Sequence, residues 1–268
     1  MRLCVLGSGS KGNSTYIECG QTRILIDGGF SGVETERRLQ SIGVDIAELS
    51  AILVTHEHGD HIRGVAVLSR KCKLPVYINE PTFNAAQKDL NSLHAVHHFE
   101  TGCSFPFQDI NIHPFSISHD AADPVGFIIE DGRFKIGYCT DTGAISKMMR
   151  HRLAGCHGLV LESNHDPVLL KQGPYPPSLQ QRVRSKTGHL ANDEAARFVR
   201  ELVHEQLFHV VLAHISDTNN RPEMVREAIR VEMAEAFPGD CQPSISLARQ
   251  DRAGRLIDLQ CGSGEPCR

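Results

Sequence analysis

The chain has little net charge, no C-x-x-C pair and no long apolar run. Its 268 residues carry 28 Lys and Arg against 32 Asp and Glu, a formal net charge of −4, so bulk electrostatics does not announce a nucleic-acid binder. That weakens such a reading without removing it, because bound metal ions carry positive charge that composition does not count. No stretch approaches the roughly 18 apolar residues of a bilayer-spanning helix, and the opening MRLCVLGSGS has no charged segment followed by an apolar one. The expectation is a cytoplasmic protein without membrane association. The nine cysteines are odd in number and scattered, and Cys4 and Cys139 sit inside apolar runs. Reduced, mostly buried thiols are expected, not a disulfide framework.

Apolar residues make up 40% of the chain, enough for a sizeable core. The N-terminal region reads as a strand RLCVLG, a Gly/Ser loop GSGSKGN and a hairpin of STYIEC and TRILID joined at GQ. A helical stretch ending near Gly43, the strand AILVT, a helix HIRGVAVLSRKC and the strand PVYIN follow. NIHPFSIS precedes VGFIIE and FKIGYC, which a DG turn joins as a hairpin. The second half continues in the same style. A helix after Asp141, the strand GLVLE and a long proline-bearing loop lead to the helix NDEAARFVRELVH, with Asn192 as its cap. The strand HVVLAHI, the helix PEMVREAIRVEMAEAF and a closing hairpin from Ile245 to Leu259 complete the order. Strands and helices mixed in both halves, without a long linker, predict one α/β domain over residues 1–260. The tail CGSGEPCR, 261–268, is expected to be disordered.

Of the 15 histidines, many fall at the ends of predicted strands. In LVTHEHGDH an apolar run stops in His56, His58, Asp60 and His61. His56 and His58 are two residues apart in an extended segment, so their imidazoles point the same way and can grip one ion. Asp60 and His61 follow and can grip a second. A polar surface loop would explain any one of these residues but not four in six. Four ligands are too few for two ions, and other strand ends offer more: His119 closes FSIS, Asp141 closes FKIGYCT and His214 closes VVLA. The carboxyl ends of strands are where α/β sheets assemble sites.

These residues resemble the metallo-β-lactamase fold superfamily, whose H-x-H-x-D-H signature THEHGDH matches. Asp27, His119, Asp141 and His214 fall where its other motifs occur in chain order, and the likeness spans about Met1 to Gln250. More narrowly, LGSGSKGNSTYIE, RILIDGGFSG, HDAADPVGF, LVLESNHD, GPYPPSLQQRV, GHLANDEAA and VVLAHISDTNN are similar to the YycJ (WalJ) group, whose members are 5′-to-3′ DNA exonucleases. The resemblance implies a four-layer αββα sandwich with two divalent metal ions between the sheets. It assigns His56, His58 and His119 to one ion, Asp60, His61 and His214 to the other, and Asp141 to both. Asp27 matches a residue that orients the ligand loop by hydrogen bonding. His189 and Glu162 resemble the proton-donating pair of ribonuclease Z, which shares the fold.

Two close divalent ions would acidify a water and neutralise a phosphodiester's charge; Asp60 could orient the nucleophile's proton and His189 protonate the leaving oxygen. Asn164 and His165 could contact substrate or cap a helix. The GSGSKGN loop could cradle a phosphate or simply turn. Between Lys171 and Lys186 lies an acid-free stretch with Arg182, Arg184 and a stacking surface in Tyr175, a candidate DNA contact. An N/O ligand set without cysteine suits zinc, manganese or iron. The reading is a dinuclear-metal hydrolase of nucleic acid, most simply a 5′-to-3′ DNA exonuclease. An RNA-processing enzyme, a phosphodiesterase for small cyclic or nucleotide diesters, a thioester or lactam hydrolase and a non-catalytic binding module are the alternatives.

Overall fold

Short β-branched runs form two sheets in the computed structural model, which describes residues 1–236 and 242–260. The first holds β1 (Arg2–Gly7), β2 (Ser14–Cys19), β3 (Thr22–Ile26), β4 (Ala51–Leu53), β5 (Pro75–Asn79) and β6 (Ala95–Phe99) in spatial order. The second holds β7 (Phe105–Phe107), β8 (Ile110–Ser116), β9 (Val125–Glu130), β10 (Lys135–Cys139), β11 (Gly158–Glu162), β12 (His209–Ala213) and β13 (Ser244–Leu247), and β14 (Ile257–Asp258) returns to lie beside β1. Pairing is antiparallel from β1 to β3 and parallel from β3 to β6. It is again antiparallel from β7 to β10 and parallel from β10 to β13. The second sheet repeats the pairing order of the first.

Alternation along each strand sorts side chains into layers. Ile24 and Ile26 of β3 join Leu3, Ile136, Val160 and Val211 between the sheets, whereas Leu25 faces outward to Leu39, Val65 and Leu68 of the flanking helices. Outside the second sheet, Leu159, Leu161 and Leu212 pack on Phe198, Val199, Val225 and Ile229 of the helices Asn192–Leu202 and Pro222–Ala236. Helix, sheet, sheet, helix is the expected αββα sandwich. No described helix is long and apolar enough to cross a membrane.

Local patterns misjudged several connections. Residues 245–259 form no hairpin: Ser244–Leu247 pairs in parallel with β12, and Ile257–Asp258 pairs antiparallel with β1 on the other sheet. Apolar alternation marks a strand without naming its partner, and here the segment crosses between two edges. The helix expected from His61 breaks into Gly59–Ile62 and Val65–Cys72, because Gly64 is pulled against the loop after β3, its N–H bound to Gly28 O at 2.7 Å. The proline-bearing loop contains the helices Pro167–Gln172 and Pro177–Val183, each with proline in its first turn. Asn192 is not a cap. Ala191 holds that position, and Asn192 turns inward to Ser163 and Asn220. The tail 261–268 lies outside the described residues.

The site sits where parallel strands end. Asp27 follows β3, Asp141 stands two residues past β10, Glu162 ends β11 and His214 follows β12. Asp27, Asp141 and His214 all have left-handed backbones, with φ of 62°, 57° and 53°, a conformation that costs a non-glycine residue of order 1–3 kcal/mol. Beside them the first loop is packed to backbone contact. Gly29 N–H donates to Asn13 O at 2.9 Å, and a Cβ at Gly29 would lie 1.7 Å from Asp60 O and 2.6 Å from Asn13 N. Neither obstacle can rotate away. Overpacking typically costs about 1–3 kcal/mol, and chains of about 150–250 residues lose about 2–4 °C per kcal/mol. Gly29→Ala is therefore expected to lower the melting temperature by several degrees in calorimetry. An unchanged melting temperature would show that these two loops do not touch.

Candidate metal centre

Three imidazoles converge through one nitrogen each. His56 Nε2 lies 3.1 Å from His58 Nδ1, which lies 3.2 Å from His119 Nε2. The opposite nitrogens of two of them are tied to the protein: His56 Nδ1 sits 2.9 Å from Thr55 Oγ1, and His119 Nδ1 sits 3.3 Å from Gly188 O. Such outer bonds fix ring orientation and present Nε2 inward.

A second cluster adjoins the first. Asp27 is fully buried and accepts from Thr55 N–H and Oγ1–H, both at 2.9 Å, and lies 2.8 Å from His61 Nδ1. His61 Nε2 is thereby aimed at Asp141 Oδ2 (3.3 Å) and Asp60 Oδ2 (3.6 Å). Asp141 Oδ1 stands 2.8 Å from His214 Nδ1 without hydrogen-bond alignment. Glu162 Oε1 lies 2.8 Å from His189 Nδ1 and 3.3 Å from His214 Nδ1, while its Oε2 accepts from Thr142 N–H (3.0 Å) and Leu190 N–H (3.1 Å). The structure thus gathers His56, His58, Asp60, His61, His119, Asp141, Glu162, His189 and His214 at one place, with Asp27 behind His61.

Three overlapping groups offer ligand atoms all within 4.8 Å of one another: His56–His58–His119, His56–His61–Asp141 and Asp141–Glu162–His189–His214. Asp141 belongs to two of them. Its Oδ2 is buried without a hydrogen-bond partner, a costly state for a carboxylate oxygen unless a cation completes it. Nitrogen and oxygen donors without sulfur are the ligands of divalent zinc, manganese or iron, so the donor set fits a divalent-metal site.

Electrostatics follows the same geometry. Burial opposes charge on His61, but Asp141 and Asp27 outweigh it and raise its pKa well above the usual imidazole range. Burial together with His61 pushes His56 well below that range. At Glu162 burial favours the neutral acid, yet His189 and His214 prevail and hold the carboxyl below its ordinary value.

The candidate substrate residues separate. Asn164 is buried and donates through Nδ2 to His214 O at 2.9 Å, which props the strand end. His165 is buried with Nδ1 unpartnered, and burial lowers its pKa to about 4. Arg182 reaches back to Asp120 at 2.6 Å and, with Tyr175, Leu179, His189, His214 and Asn219, lines a cavity of about 180 Å³ next to the cluster. Arg184, the C-cap of the same helix, is exposed outside that lining. The GSGSKGN loop does not offer a row of free donors. The N–H groups of Ser8, Gly9, Lys11, Gly12 and Asn13 bind Arg249 O, Asn13 Oδ1, Gln250 Oε1, Gly9 O and Asp60 O. Sequence reasoning passed over Asn13, whose Nδ2 lies 3.0 Å from Asp60 Oδ2, and Thr55, which touches Asp27 and His56. Thr55 could have been found as the first residue of THEHGDH; Asn13 carries no signal apart from its loop.

The family model of the β-lactamase superfamily domain matches residues 22–215. The chain is 38% identical over 237 residues to exodeoxyribonuclease YycJ of Bacillus anthracis, covering 88% of this chain and 90% of that one. It is 37% identical over 241 residues to exodeoxyribonuclease WalJ of Streptococcus pneumoniae, covering 88% and 89%. Among solved structures it superposes on zinc-bound PqqB of Methylobacterium extorquens with a TM-score of 0.72 over 96% of this chain and 100% of that one, at 15% identity. That last likeness is one of fold alone. By family model and by relatives matched over most of its length, the chain belongs to the metal-dependent hydrolases of the β-lactamase superfamily, and within them to the YycJ/WalJ-like group.

Proposed function

We propose that the protein is a dinuclear-metal exonuclease that shortens DNA from its 5′ end, with its machinery in one domain over residues 1–260 and its place of work in the cytoplasm. The observation that carries the proposal is a nitrogen and oxygen donor set in three overlapping groups, two of which share Asp141, with an acid-paired histidine, His189, at its edge. The DNA substrate is supported by the names of the two relatives, and the direction by the group resemblance. On this reading His56, His58 and His119 hold one ion, Asp60, His61 and His214 the other, and Asp141 both.

Divalent ions held here supply Lewis acidity to the phosphodiester and acidify water. The remaining work falls to side chains. Asp60, with Oδ2 held by Asn13 at 3.0 Å, keeps Oδ1 to orient or take the proton of the attacking water. Glu162 binds Nδ1 of His189 at 2.8 Å, which stabilises the imidazolium and leaves Nε2 to give its proton to the departing sugar oxygen. Two backbone N–H groups fix Glu162 itself. Arg182 and Tyr175 at the adjoining cavity are the proposed contacts to the strand, joined by Asn164, His165 and Arg184.

Three measurements test the reading. Elemental analysis of protein purified without chelator is expected to give close to two equivalents of metal, with Asp141→Ala losing more than one ion's worth of occupancy. One equivalent in the wild type would count against the dinuclear site.

His189→Ala is expected to retain metal yet lose about 10²- to 10⁴-fold in rate on DNA. The loss should shrink for bis(p-nitrophenyl) phosphate, whose leaving group needs no proton. Equal losses on both substrates would sink the general-acid role. Running labelled duplex DNA, single-stranded DNA and RNA in parallel identifies the polymer, and faster cleavage of RNA would overturn the assignment to DNA.

A further inference from the structure

The Gly/Ser loop between β1 and β2 reads as a turn, yet Asn13 within it is fully buried. Its side-chain amide has one orientation. Oδ1 accepts from Ser8 Oγ at 2.8 Å and Gly9 N–H at 2.9 Å, while Nδ2 faces Gly9 O at 3.1 Å and Asp60 Oδ2 at 3.0 Å. Turning the amide over would set donor against donor at Gly9 N–H and oxygen against oxygen at Gly9 O and Asp60 Oδ2; only the Ser8 hydroxyl could reverse its role. The two Nδ2 hydrogens are therefore spent on Gly9 O and Asp60 Oδ2. His61 Nε2 lies equally close to Nδ2, at 3.0 Å.

Asn13 grips Asp60 at two points. Its backbone N–H binds Asp60 O at 2.7 Å while its amide binds Oδ2, so the carboxylate can neither swing nor shift along the chain. The loop also reaches the other sheet: His214 N–H donates to Ser8 Oγ at 2.9 Å, and Ser8 donates onward to Asn13. Asp60 follows a strand of the first sheet and His214 follows β12 of the second. One relay of hydrogen bonds, His214 N–H to Ser8 to Asn13 to Asp60, joins groups brought by separate layers.

We propose that Asn13 is a positioning residue: anchored by Ser8 and Gly9, its amide holds Asp60 in the orientation that completes the centre and registers it against His214. This rests on the reading of Asp60, His61 and His214 as holding one ion. The physical case is that of hydrogen bonds that hold metal-ligating carboxylates in place, whose loss typically weakens metal binding by about 10- to 100-fold. The residue touches no part of the triad His56, His58 and His119 among its hydrogen bonds. Its influence should fall on one ion.

The test is calorimetric titration of metal-free full-length protein with manganese, comparing the wild type with Asn13→Leu, Ser8→Ala, Asp60→Ala and the double substitution Asp60→Ala with Asn13→Leu. Asn13→Leu fills a similar volume without the amide. It should weaken one binding step by about 10- to 100-fold, leave the other at wild-type affinity, and affect the same step as Asp60→Ala. Ser8→Ala should weaken that step by less. On the Asp60→Ala background the Asn13 substitution should cost no further affinity, because a residue that acts through another has nothing left to act on. Full additivity of the two, equal weakening of both steps, or wild-type affinity in Asn13→Leu would each overturn the inference. If Asn13→Leu does not fold, Ser8→Ala decides, since it removes one hydroxyl and leaves Asn13 in place; unchanged affinity there overturns the inference too. A single binding step in the wild type would sink the two-ion reading by itself, and the coupling between Asn13 and Asp60 would then be read on that one step.

Discussion

Three carboxylates, Asp27, Asp141 and Glu162, stand almost wholly out of water at the ends of strands, and the rest of the centre is arranged around satisfying them. A buried carboxylate is costly unless donors or opposite charge surround it. Asp27 is satisfied by Thr55 and His61, and Glu162 by Thr142, Leu190 and His189. Asp141 differs. It has His61 and His214 beside it, but one oxygen lacks any hydrogen bond. Protein groups complete the outer two carboxylates, whereas the central one is left for a cation.

The fold makes that arrangement possible by using one device twice. Each sheet changes from antiparallel to parallel pairing at the strand that precedes an aspartate, β3 before Asp27 and β10 before Asp141. In both places the backbone turns left-handed as the strand ends, and the carboxylate there meets groups from neighbouring strand ends and loops. The cost of that backbone is borne by the packing around it. The two aspartates then diverge in role. Asp27 meets the donors of Thr55 one strand away and becomes a support, while Asp141 meets only imidazoles and becomes the shared member.

How much of this can be read from the sequence depends on distance along the chain. His56, His58, Asp60 and His61 are legible because they are contiguous, and Asp141 and His214 because each closes an apolar run. The short strand Phe105–Phe107 is not, since three residues cannot show a period. Nor are the two helices in the proline-bearing segment, one or two turns each, where prolines read as loop while serving as first-turn residues. Arg182 was legible as one of a run of local basic residues, but its partner Asp120 lies 62 residues away. Local charge could not reveal that the guanidinium is already engaged. Asn13 is the strongest case of the same limit: an asparagine in a Gly/Ser loop fits any turn, and only the approach of Asp60, 47 residues on, gives its amide a purpose.

A centre built this way bears on how an acidic protein can handle a polyanion. Asp27, Asp60, Asp141 and Glu162 place four carboxylates within or against the cluster, in a chain whose formal charge is −4. Such a site by itself repels phosphate. Under the two-ion reading two divalent cations would offset those four negative charges, and the cluster would no longer repel phosphate. Two cationic side chains near the cluster are paired with carboxylates, Lys11 with Asp217 and Arg182 with Asp120. They can trade a carboxylate partner for a phosphate oxygen with little net change in charge, which makes the exchange one of geometry more than of bulk attraction. Affinity would then come from the occupied centre itself, and an acidic surface elsewhere would limit non-specific adhesion to the strand.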